Sequence, residues 1–344
     1  MKLASHSHII KEVEVLGNYV KDMDTKVVRL STMCHTFLVV TILLLFIPSS
    51  YAEIRDYSED WQGDITIEGG RTILVEEISA TWCVSCADID PYLQQVADAH
   101  GSRITIVTYH PTDGEDAFQP EAAMQRIERM RMINPQLGAT PTFVVESGLL
   151  RVGPDSWPDV QKDILKEETN RQHTSYLSFT VNKSDNNYTT TVANLSLINV
   201  DYNTQLTFML MAHDVPVPEG YINPGEATRD RVVVATATCE IGNNTINNTG
   251  FSRATANICA DDFTVDFSHD GKFSIILIHE ATESSLLENP NTAATLGVVE
   301  FAFRDVELQS DVNILPIVFF SIISIGIIWV IFERISAEKS RKAT

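Results

Sequence analysis

Residues 76–96 read EEISATWCVSCADIDPYLQQV. A hydrophobic strand, TILVEEI (72–78), runs into Trp82-Cys83-Val84-Ser85-Cys86, and an amphipathic helix starts at that point. The pattern places Cys83 at the exposed N-terminus of the helix and Cys86 one turn later, more buried. Unpaired backbone N–H groups and the helix dipole stabilise a thiolate there and lower its pKa below about 8.5. The three-residue step lets Cys86 reach back and resolve a mixed disulfide, which is what thiol–disulfide exchange requires. Zinc sites also use CxxC, but they need a second ligand pair. Cys239 and Cys259 are 20 apart and no paired histidines replace them. No metal and no cofactor is therefore expected.

Outward from this stretch, strand and helix alternate from Asp64 to His173. ITI (65–67), TILVEEI, RITIVTY (103–109), TFVVE (142–146) and LLRV (149–152) read as strands, with helices over about 84–100, 119–133 and 156–172. Such alternation implies an α/β layer structure, here assigned to residues 53–173. From Tyr176 the helical period disappears. Seven runs rich in Val, Thr, Ile and Phe follow: YLSFTV, YTTTVANLSLI, TQLTFMLMA, RVVVATATC, FTVDF, KFSIILIH and LGVVEFAF. Seven strands in about 130 residues suggest an antiparallel sandwich of immunoglobulin or fibronectin type III kind over 174–310. Cys239 and Cys259 flank its Asn-rich loop and have no other partners, so a structural disulfide is expected.

Two apolar runs bracket these parts. FLVVTILLLFI (37–47), with Lys26 and Arg29 before it and Ser50-Tyr51-Ala52 after it, is too short to span a bilayer and reads as a signal peptide cut after Ala52. The start is Met1, or an internal Met23 or Met33, and an uncleaved anchor is the rival reading. Ile314–Phe332 has no charge and the length of one span, and Arg334, Lys339, Arg341 and Lys342 follow it. The positive-inside rule then makes 313–332 a transmembrane helix and 333–344 a basic cytoplasmic tail. The chain is expected to be a single-pass cell-membrane protein with its ectodomain outside. Removing Cys34 with the leader leaves four cysteines in an oxidising space. Sequons at Asn182, Asn187, Asn194, Asn243 and Asn247 suit an exported glycoprotein. The full chain has a formal net charge of −21. A nucleic-acid partner, which needs a basic face, is excluded.

The cysteine segment resembles the thioredoxin superfamily, whose motif is WCxxC after a core strand. Pro91, five residues after Cys86, matches the proline in the active-site helix of that superfamily. LGATPTFVVESG (137–148) resembles its cis-proline segment. The resemblance implies that Pro141 is cis, and that Trp82, Thr140 and Pro141 contact substrate, Thr140 by backbone pairing with an extended chain. It also implies that Glu77, six residues before Cys83, is the buried acid that takes the proton of Cys86. Strand alternation leaves Glu76 as its rival. Asp88 and Asp90 read as a solvated helix face, and Tyr109 and His110 as the border of a pocket. Val84-Ser85 lacks the histidine of strongly oxidising members.

As a whole the chain is similar to exported proteins that join a thioredoxin module to an immunoglobulin-like domain, the outer-membrane-protein-28-related family. EEISATWCVSC, the segment from His110 through Asp116-Ala117-Phe118 to QPEAAMQRIERM, and FMLMAHD, RVVVATA and KFSIILIHE carry that similarity. The C-terminal anchor departs from it. Two function classes follow. One is a membrane-anchored oxidoreductase acting on protein thiols and disulfides outside the membrane, with a separate redox donor or acceptor. The other is a surface binding or assembly protein that uses an inert thioredoxin fold as scaffold.

Overall fold

The computed structural model describes residues 53–171 and 173–305, together with positions 319, 322, 323 and 326. The expected leader (1–52) and tail (333–344) lie outside the described residues. So does the expected span 313–332, apart from those four positions, which are helical. Among the described residues, no helix is long and apolar enough to cross a membrane.

β3 (Ile73–Ile78) is buried at all its positions, as a strand covered on both faces must be. Ile73 and Val75 pack under α1 (Val84–His100) and α3 (Trp157–Asn170), while Leu74 and Ile78 pack under α2 (Glu121–Ile133). β4 (Ile104–Tyr109) lies parallel to β3 on one side. β5 (Thr142–Val145) lies antiparallel on the other, followed by β6 (Arg151–Val152). This is the mixed α/β arrangement expected around the cysteine motif, with element ends within a few residues of those read from the sequence.

The seven runs beyond residue 176 form β7 (Leu177–Ser184), β8 (Asn187–Val192), β9 (Thr204–Ala212), β12 (Val232–Glu240), β15 (Thr264–Ser268), β16 (Phe273–Ala281) and β17 (Gly297–Arg304). Between them lie β10 (Val215–Pro216), β11 (Thr228–Arg229), β13 (Ile246–Thr249), β14 (Arg253–Thr255) and the short helix α4 (Cys259–Asp262). One sheet has the order β14-β15-β8-β7-β2, where β2 is Gly63–Gly69. A second runs β1-β17-β16-β9-β12-β4-β3-β5-β6, with β1 at Glu53–Asp56 and β13 paired to β12, while β10 and β11 pair with each other. An aromatic core including Trp61, Phe179, Phe208, Phe263, Phe273 and Phe301 fills the space between them.

The line drawn near residue 174 therefore does not separate two sheets. ITI, read as part of the α/β half, sits in β2 and pairs with β7 of the sandwich, Ile65 opposite Val181 and Ile67 opposite Phe179. β4 would otherwise present an open edge, and an unpaired strand edge is a liability that proteins cover. β12 covers it at its first residue, Val232 opposite Thr108, and the Thr108 N–H donates to the Arg231 carbonyl at 3.0 Å. α2 lies across this joint. Its Ala123, Ile127 and Met130 share one core with Leu74 and Val107 on one side and Met209 and Val233 on the other.

Candidate functional site

Cys83 is the N-cap of α1 and is joined to Cys86 in a disulfide, with Cα atoms 5.3 Å apart. The Cys83 Sγ accepts a hydrogen bond from the Cys86 N–H at 3.1 Å. The sulfur thus stands where the first turn of the helix leaves N–H groups unpaired. Pro91 lies inside the same helix. The expectation that Cys83 is exposed is corrected: it is 4% exposed, against 0% for Cys86. Ala80, Trp82 and Cys86 pack around it, and of the CxxC insert Val84 is the residue that stands out into solvent.

Trp82 is held from the other side. Its indole N–H donates to Asp113 Oδ2 at 2.9 Å, and Asp113 Oδ1 accepts from the Asp116 N–H at 2.7 Å. Asp116 accepts from the Thr81 N–H at 2.8 Å and shares a 2.8 Å contact with His110 Nδ1. Burial pushes the Asp116 carboxyl up, but His110 and the Phe118 and Thr81 N–H groups outweigh it and hold it low. The loop after β4 is thereby clasped to the residues just before Cys83. His110, read as a pocket border, belongs to this clasp and is fully buried.

The Thr140–Pro141 bond is cis. Thr142 stands opposite Ile78, so the segment lies at the same end of β3 as the cysteine motif. No hydrogen bond of the Thr140 N–H or C=O is found among the described residues.

Glu76 and Glu77 part company as strand alternation requires. Glu76 points to the α2 side, where its Oε1 accepts from Tyr109 Oη and from Arg126, both at 2.9 Å. Arg126 and Arg129 also pair with Glu280 of β16, making a buried four-charge set across the joint. Tyr109 is thus committed to that side of the sheet. Glu77 faces α1. Its Oε2 accepts from Thr108 Oγ1 at 3.0 Å, while Oε1 is buried without a partner. Burial, and then the charge of Asp90, push Glu77 up to about 8 against the pull of Thr108 and Arg231.

Asp90 was read as part of a solvated face, and the structure corrects this. It is half-buried, and its Oδ2 lies 3.4 Å from Nε of Arg229, a buried side chain of β11. Burial pushes the Asp90 carboxyl up to about 6, with Arg229 and His110 opposing. Arg229 also reaches the Thr81 carbonyl at 3.5 Å, and its chain packs so near α1 that a Cβ on Gly225 would stand 2.8 Å from Ala87 Cβ. Asp90, Arg229, Asp113 and Asp116 were not singled out as site residues from the sequence. The available signal for Asp90 was its spacing, four residues after Cys86 and one helical turn along.

Cys239 and Cys259 form a second disulfide with Cα atoms 5.6 Å apart. Both lie in the sandwich core, within a cluster separate from that of the first pair.

No protein-family model matches the sequence, and no curated protein matches it. Among solved structures the chain is similar to HBP35 of Porphyromonas gingivalis, at 13% identity and a TM-score of 0.47, over 71% of this chain and 79% of that one. It is also similar to the protein AGR_C_4864 from Agrobacterium tumefaciens, at 11% identity and a TM-score of 0.44, over 69% and 96% of the two chains.

Proposed function

We propose that the chain is a thiol–disulfide oxidoreductase in which Cys83 attacks and Cys86 resolves. The observation that carries this is the Cys83 sulfur at the N-cap of α1, accepting the Cys86 N–H. A thiolate there receives the charge-assisted bond and dipole that lower a cysteine pKa. Starting from the dithiol, the Cys83 thiolate attacks a substrate disulfide and releases one substrate thiolate. Cys86 then gives up its proton and attacks Cys83. The Cys83–Cys86 disulfide forms, the second substrate thiolate leaves, and two electrons have passed to the substrate. Glu77 takes the Cys86 proton, and Trp82, Thr140 and Pro141 line the approach of an extended polypeptide. The finer reading places this site on a membrane-anchored, outward-facing chain of the outer-membrane-protein-28-related kind, served by a separate redox donor or acceptor.

The burial of Cys83 favours the second reading, in which the pair is an inert staple in a binding scaffold. Redox equilibration with glutathione or dithiothreitol separates the two. An exchanging pair gives a defined Cys83–Cys86 potential, and Cys86→Ser accumulates mixed disulfides through Cys83. A pair that stays oxidised under conditions that reduce glutaredoxin-type disulfides, with no trapped adducts, selects the scaffold.

A further inference from the structure

Glu77 is 1% exposed, so a proton it takes from Cys86 has no direct route to water. Glu77 Oε1, Asp90 Oδ2, His110 Nε2, Arg229 Nε and Arg231 Nη2 are all buried without hydrogen-bond partners. They also act on one another: Asp90 and Arg231 on Glu77, and Arg229 and His110 on Asp90, which further feels Asp230 and Glu226. Asp90 pairs with Arg229, and Glu77 bonds Thr108, whose N–H is held by the Arg231 carbonyl, so one short segment of chain reaches both carboxylates. The charge of Asp90 acts on Glu77. Asp90 also lines a cleft of about 50 Å³ between Ala87, Pro91 and Gln94 of α1 and Glu226, Arg229 and Asp230 of the segment before β12.

We propose that Asp90 is the proton exit of the cysteine pair, passing the Cys86 proton from Glu77 to solvent in that cleft, with Arg229 tuning its readiness to accept. This rests on the thiol–disulfide reading. When Cys86 attacks Cys83 in the mixed disulfide, its S–H proton goes to the Glu77 carboxylate and the substrate sulfur leaves as thiolate. Glu77 passes the proton through an intervening water to the Asp90 carboxylate and is ionised again, and Asp90 loses it to solvent. The departing thiolate takes up a proton from solvent, so charge and protons balance. The reverse path serves disulfide donation. Asp90 is the weaker base of the two and the one that reaches water, so it can empty at neutral pH while Glu77 refills. Arg229 comes from the sandwich half, which makes proton release depend on how the 214–230 segment lies against α1.

The test is the rate of mixed-disulfide resolution against pH, with a small-molecule disulfide as probe, in the wild type, Asp90→Asn, Asp90→Glu and Arg229→Gln. Asp90→Asn is expected to slow resolution by at least about tenfold near neutral pH, a modest share of what a positioned proton acceptor supplies. The alkylation rate of Cys83, which reports the thiolate of the first step, should be unchanged, and Asp90→Glu or added imidazole should restore the resolution rate. Arg229→Gln, which removes the charge holding Asp90 down, should move the acid limb of the profile to higher pH. Superimposable profiles for Asp90→Asn and wild type, with both folded by circular dichroism, would overturn the relay alone. Retention of exchange by Cys83→Ser would overturn the underlying reading and the relay with it. Should Asp90→Asn not fold, the Arg229→Gln profile decides: an unmoved limb rejects the relay.

Discussion

Burial and the charge of a second carboxylate raise the Glu77 carboxyl, and this has a cost in stability that can be read by titration. Its ordinary value is 4.5, and in the folded chain it rises to about 8. Between those values the native state binds one proton more than the unfolded chain does. Stability therefore falls as pH rises through that window, by up to about 1.4 kcal/mol per pH unit from this group. Glu77→Gln should flatten the slope, so urea midpoints of variant and wild type should diverge in the variant's favour from pH 5 to pH 8. Parallel curves would show that Glu77 is not the buried acid. Glu280 behaves in the opposite sense. Burial raises it, but Arg126 and Arg129 draw it down to about 2, so its contribution survives until the pH falls below the ordinary carboxylate range. The Glu76–Glu77 pair was half legible: alternation separates the two residues, but nothing local says which face of β3 meets α1. Asp90 was misread because its partner, Arg229, comes from another part of the chain. A carboxylate beside exposed Asp88 gives no local sign of that.

Helix α2 is riveted to the sheet by charge as well as by packing. Arg126 bridges Glu76 of β3 and Glu280 of β16, each at 2.9 Å. Arg126→Met should destabilise by about 3–5 kcal/mol, because it leaves buried Glu76 without its cation and Glu280 with Arg129 alone. Replacing Glu76, Arg126, Arg129 and Glu280 together by apolar residues of similar volume should recover most of that loss in a denaturant titration. The Cys239–Cys259 bond closes a loop of sequence separation 20 between β12 and α4. Removing it with a double alanine variant should cost on the order of 3 kcal/mol, and peptide mapping without reductant checks the pairing. At this scale the sequence was informative. The runs of Val, Thr, Ile and Phe marked the seven main strands, and 3.6-residue periodicity marked the three main helices. What it did not mark was pairing. The partner of β2 and the β4–β12 joint depend on contacts between distant segments, which local propensity does not encode.

Across the whole molecule, the single register pair between β4 and β12 would be a weak seam by itself. The core under α2, the Arg126 set and the β2–β7 ladder all cross the same divide. The two halves should therefore unfold together. Trp61 lies in the sandwich core and Trp157 in the α/β core, so each reports one half. Variants that keep only one of these emitters should give coincident urea transitions, and a fragment ending at residue 173 should lack a cooperative one. Two separated midpoints would show instead that the halves are independent folding units.

One further property follows from the edge of the long sheet. β1 runs parallel to β17, with Glu53 beside Phe301 and Asp56 beside Arg304. A tether pulling outward on residue 53 and another on residue 304 would drag these two strands in opposite directions along their own axes. The ladder bonds would then be loaded side by side and would have to give way together rather than one after another. Between residues 53 and 304 the chain would thus meet tension in shear, at the edge of the long sheet away from β3 and the cysteine motif that follows it.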